Sequence, residues 1–114
     1  MYASLVTLLS GNTAAGTRVH PLTAPDSEGR PYITYQRITA VDNTPLSGGA
    51  AFFNTRMQID VYADTYIAAD SIASQVKTLL AGWSVKNVQI SDVDLYENEV
   101  KLFRVQLDYS IWHP

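Results

Sequence analysis

The acidic run Asp92, Asp94, Glu97 and Glu99 is the densest set of chemically capable side chains in this sequence. Carboxylates suit hard cations such as Ca²⁺, but the run lacks the spacing and central glycine of an EF-hand loop. A solvated acidic turn accounts for it more simply. If Leu95 and Tyr96 lie in a strand, the carboxylates also divide between two faces. Residues 11–18, Gly-Asn-Thr-Ala-Ala-Gly-Thr-Arg, share the glycine spacing of a phosphate loop. They lack its lysine and follow a helical pattern where that motif needs a strand, so they read as a helix exit. The histidines are His20, just before Pro21, and His113, far along the chain. A nucleophilic triad needs a base held beside a positioned nucleophile. No serine stands in a G-x-S-x-G elbow, and the sequence has no cysteine. Two histidines so far apart make poor zinc ligands without further partners. The residues thus point to no catalytic group, no cofactor and no metal.

Bulk properties narrow the remaining classes. Net charge is −3 and the eight basic residues are scattered, which argues against a phosphate-gripping nucleic-acid binder. Seven tyrosines and two tryptophans could stack bases, but the basic groove that such sites use is missing. Tyr35, Tyr62, Tyr66 and Trp112 read instead as residues of a core edge or a subunit contact. A hydrophobic content of 46% with 17% charged residues fits a folded domain that leans apolar for a monomer. Copies of the chain or other partners would cover that excess. No stretch approaches the ~20 apolar residues of a spanning helix, and the first residues carry no basic leader, so no membrane association is expected.

The elements that hold these residues follow from periodicity. In residues 2–9, Leu5, Leu8 and Leu9 share one helical face, and Gly11-Asn12 forms the exit. Residues 12–17 are a loop, and residues 18–21 are a brief extended piece ended by Pro21. Residues 23–30 are a surface turn and residues 31–39 a strand rich in β-branched and aromatic side chains. Residues 42–51 hold Asn43, Pro45, Gly48 and Gly49 and form a connection that is long for a hairpin. Residues 53–62 are a strand with Met57, Ile59 and Val61 on one face and Arg56, Gln58, Asp60 and Tyr62 on the other. Asp64 or Thr65 caps the main helix, whose apolar stripe is Ala69, Ile72, Ala73, Val76, Leu79 and Leu80, and Gly82 stops it. Residues 85–92 are a strand with Val88 and Ile90 facing in. Leu95-Tyr96-Glu97 lead to a turn at Asn98-Glu99. The final strand spans residues 100–112, with Phe103, Val105, Leu107, Tyr109 and Ile111 alternating with polar residues. The order α-β-β-β-α-β-β predicts a single α+β domain over residues 1–114. Its sheet is mainly antiparallel, with one long helix on one face and a short N-terminal helix.

The succession of motifs resembles the tail-completion, or tail-terminator, family of tailed bacteriophages and prophages. The likeness starts with the Leu-rich first helix, Arg18-Val19-His20-Pro21 and Pro31-Tyr32-Ile33-Thr34-Tyr35-Gln36. It continues through Met57-Gln58-Ile59-Asp60-Val61-Tyr62-Ala63, the Ala-rich helix and Asp94-Leu95-Tyr96-Glu97. It ends in the segment from Arg104 to His113, and so covers nearly the whole chain. The resemblance implies a structural virion protein that forms a ring, commonly a homohexamer, at the head-proximal end of a tail. Such a ring ends polymerisation of the major tail tube protein and docks the head–tail connector protein. Genome DNA passes through its lumen without specific binding. The resemblance brings no catalytic residues, and it implies a place at the head–tail junction of the virion, with the host cytoplasm as the site of assembly. The long connection, through Leu46, Ser47, Gly48, Gly49, Ala50, Ala51, Phe52 and Phe53, is the candidate contact with a neighbouring subunit or the tube. The alternatives are another connector component, such as a stopper or adaptor, and a small ligand-binding or regulatory module. The latter needs an apolar pocket with convergent polar groups, which no residues here mark.

Overall fold

The computed structural model describes residues 2–22, 29–42, 53–98 and 101–113. The elements are α1 (Tyr2–Leu9), β1 (Val19–Pro21), β2 (Tyr32–Asp42), β3 (Phe53–Ala63), α2 (Tyr66–Ala81), β4 (Asn87–Glu97) and β5 (Leu102–His113). The order and class are those expected from the sequence.

The helix α2 is set by its ends and its stripe. Thr65 adopts extended backbone and its hydroxyl accepts from the amide of Ala68 at 3.2 Å, which satisfies one orphan donor of the first turn. Ala69, Ile72, Ala73, Val76 and Leu80 are buried along one side. Gly82 closes the last turn by donating to the carbonyl of Thr78, with φ −92°, so its role does not depend on a left-handed conformation. Leu5 and Leu9 of α1 enter the same core as Ile33, Met57, Ile59, Val61, Leu107 and Ile111. Each such fully buried side chain contributes roughly 1.5–3 kcal/mol relative to exposure.

The sheet has the order β1-β2-β3-β5-β4. Pairing is antiparallel between β2 and β3, β3 and β5, and β5 and β4. The short β1 departs from that pattern and pairs parallel with β2, Val19 opposite Ile33 and Pro21 opposite Tyr35. Since β3 and β4 both run against β5, they run parallel to each other, and α2 is the crossover between them. Both helices join the core on one face of the sheet. Among the described residues no helix covers the other face.

The fourth strand requires corrections. It spans 87–97, so the strand expected to end at Asp92 continues through Asp94 to Glu97, and these carboxylates lie in a strand rather than a turn; Glu99 is outside the described residues. Val88 and Ile90 do not face in; they are 52% and 47% exposed. The physical reason is the register: Val88 pairs with Ser110 on the open face, and Ile90 sits in the irregularity between Gln89 and Ser91 on the outer strand of the sheet.

Candidate assembly surface

Strand alternation sorts the side chains of β3 and β5 between the helix-covered face and the open face. Met57, Ile59, Val61, Val105, Leu107 and Ile111 fill the core. Their polar neighbours Arg56, Gln58, Asp60, Arg104, Gln106 and Asp108 therefore stand on the open face. There they form a ladder of charge pairs. Arg56 donates through Nη2 to Asp108 at 2.6 Å and through Nε to both carboxylate oxygens at 3.0 and 3.1 Å. Arg104 donates through Nε to Asp60 at 3.1 Å and through Nη1 to Glu97 at 2.9 Å. Asp60 also accepts from Gln58 at 2.8 Å. The carboxylates of Asp60 and Asp108 are only 5% and 8% exposed, because the arginines lie across them.

An aromatic row continues this ladder at its lower end. Tyr32 stacks on Tyr62 with centroids 4.8 Å apart, and the Arg104 guanidinium sits 5.6 Å from the Tyr62 ring centre. Burial pushes the Tyr62 phenol above its ordinary pKa, and the nearby Arg104 charge works against that rise. For Arg104, burial pulls downward, the hydrogen bonds to Asp60 and Glu97 pull upward, and the balance lies above the ordinary guanidinium value. The hydrogen bond to Asp108 raises Arg56 in the same direction. The face thus carries two guanidinium groups held by three carboxylates. Such a surface has little free positive charge to offer a polyanion.

At the outer edge, β4 presents a different chemistry on each face. Its partners across β5 place Val88, Val93 and Leu95 opposite Ser110, Gln106 and Arg104, on the open face. A β-bulge between Gln89 and Ser91 makes this possible. The apolar residues change phase from even to odd positions between Ile90 and Val93, and the extra residue restores them to one face. That phase change is the signal in the sequence that marks this surface. Asp92 and Asp94 fall on the helix side, opposite Leu107 and Val105. Lys77 pairs with Asp92, and the Tyr66 hydroxyl donates to Asp94 at 2.7 Å. The hydrogen bond and charge of Lys77 hold the Asp92 carboxyl below its ordinary range.

The residues named earlier as a contact loop, Leu46 to Phe52, lie outside the described residues. Phe53 opens β3, half-buried, with its ring 5.8 Å from that of His113. The His113 Nε2 in turn lies 2.7 Å from the Thr55 hydroxyl, at the end of the sheet. His20 is in β1, remote in the sheet order from β5. Tyr35 packs against the core, and Trp112 lies half-buried at the end of β5 with the Lys86 ammonium 5.4 Å from its ring centre. Among the described residues no group of three or more His, Asp or Glu side chains could hold a metal ion. Two hollows sit beside the helices. One is lined by Asn12, Ser71, Ser74, Gln75, Thr78 and Leu79, and another by Ala3, Ser4, Thr7, Leu8 and Trp83; neither lining includes an ionisable side chain.

Among curated proteins, none matches the sequence. Among solved structures, the fold is similar to a chain from a structure described as the virion of a native gene transfer agent particle. The TM-score is 0.67 at 18% identity, over 96% of this chain and 84% of that one. A profile of the family described as Tail completion protein gp17 matches residues 1–114, and the chain belongs to this family of phage-tail structural proteins.

Proposed function

We propose that the chain acts as a single domain, residues 1–114, that closes into a ring at the head-proximal end of a tail. In this reading the ring ends growth of the tail tube and receives the connector, and genome DNA passes through its lumen. The observation that carries the reading is the family match across residues 1–114. A chain of similar fold occurs in a gene transfer agent virion, which supports a place in the particle. Shape and charge are compatible with it. A subunit with extents of 52 × 25 × 24 Å encloses a duplex only as a closed oligomer. Cyclic rings use two different patches of one subunit, and the connection through residues 46–53 is proposed to contribute to that contact or to the tube contact. The balanced charges of the open face would let DNA move past without adhering. A homohexamer is the expected stoichiometry.

Negative-stain electron microscopy of tails assembled with and without the protein tests the reading. Uniform tails that join heads only when the protein is present are the expected result. Tails of normal length in its absence would reject the terminator role, and normal tails that fail to join heads would move the protein to the connector.

A further inference from the structure

We propose that neighbouring subunits join edge to edge. The outer edge of β4 in one copy pairs antiparallel with the second half of β2 in the next, so that one sheet runs around the assembly. This inference rests on the ring reading above.

The first support is availability. β4 ends the sheet order, and among the described residues nothing pairs with its outer edge over 87–97. On the opposite side, β1 covers β2 only from Ile33 to Tyr35, and the Leu22 amide takes the Tyr35 carbonyl at 2.8 Å. Among the described residues nothing pairs with that edge over residues 36–42 of β2, which gives a second open edge. Unpaired edges of this length are templates for another strand.

Direction gives a second support. β2 and β5 both run against β3, and β4 runs against β5. Rotation about an axis along the strands preserves chain direction. The β4 edge of one copy then meets the β2 edge of the next in antiparallel sense, and the two different patches suit a cyclic ring.

The third support is chemical and is independent of the other two. Val41 pairs with Asn54 and so lies on the open face, the same face as Val88, Val93 and Leu95. Val41 and Val93 are 51% and 45% exposed in the subunit. On the helix face, Arg37 lies opposite Met57 and Asp94 opposite Val105. Among the described residues neither Arg37 nor Asp94 has an ion-pair partner, and Asp94 accepts from Tyr66. In the register that sets Val41 against Val93 and Thr39 against Leu95, apolar meets apolar on the open face, and on the other face Arg37 lies diagonal to Asp94, within reach of its long side chain.

The chain has no cysteine, so thiols can be placed cleanly. Val41→Cys and Val93→Cys are combined in one chain, assembled onto tails and treated with a bismaleimide spanning ~10 Å, about three residues of strand rise. Within one subunit β2 and β4 are separated by β3 and β5. Three strand spacings come to about 14 Å, beyond the reach of the linker. The expected result is loss of most of the monomer band into a ladder of multimers, with each single variant remaining monomeric. Tails that carry a ring while the double variant stays monomeric would overturn the edge pairing and leave the ring reading standing. Wild-type tails without a ring would overturn both. Where the first double variant does not assemble, the pair Thr39→Cys and Leu95→Cys, on the same face, gives the same readout.

Discussion

Arg104 organises the open face, since one guanidinium holds Asp60 and Glu97 and stacks over Tyr62. Replacing Arg104 with Ala leaves the buried Asp60 with Gln58 as its side-chain partner. Removing one member of a buried pair is costly, and the expected loss is about 2–4 kcal/mol by chemical denaturation. A double-mutant cycle with Asp60→Asn should show coupling between the two positions. At the exposed edge, Lys77 and Asp92 give a smaller effect with a definite sign. The folded-state pKa of Asp92 lies below its ordinary value, so the pair stabilises above the unfolded carboxylate range, near ~3.9. That contribution disappears as pH falls through the depressed folded value. Lys77→Met should lower the melting temperature by a few degrees at neutral pH and low salt. The difference should vanish in strong acid and shrink in high salt.

The helices and the inner strands were legible because their signals are local. Leu5, Leu8 and Leu9 define α1, and a Thr followed by a spaced apolar stripe defines α2. The Thr65 cap has a measurable worth: Thr65→Ala should cost about 1 kcal/mol by thermal or chemical denaturation, and Thr65→Asp should restore most of it. The misplacement of Val88 and Ile90 came from reading alternation without knowing the position of the strand in the sheet. The same apolar alternation marks a core face in β5 and an outward stripe in β4, and only the register of β4 on β5, with its bulge, separates them. The parallel pairing of β1 was likewise illegible, since three residues carry no record of a partner across a turn. Asp60 and Asp108 occupy polar positions of an alternating pattern and so read as solvated. Their burial depends on arginines 44 and 52 residues away in sequence.

For the whole molecule, the test of the connecting segment is a deletion. Removing residues 47–50 should leave a folded subunit, with unchanged circular dichroism and a melting temperature within a few degrees, because Phe53 and the β2–β3 register remain. The expected defect is in assembly, seen as tail ends without a ring; normal rings and normal tails would reject a contact role for this segment. The open edge of β4 has a further consequence, for handling. A strand prepared to accept a neighbour is also a seed for disordered association. Its carboxylates Asp92 and Asp94 then act as gatekeepers beside an otherwise sticky stripe. The isoelectric point lies near 5.1, so mild acid removes the net repulsion between subunits. Turbidity of a concentrated stock near pH 5 is therefore the expected outcome, checked by light scattering alongside circular dichroism across the same pH range.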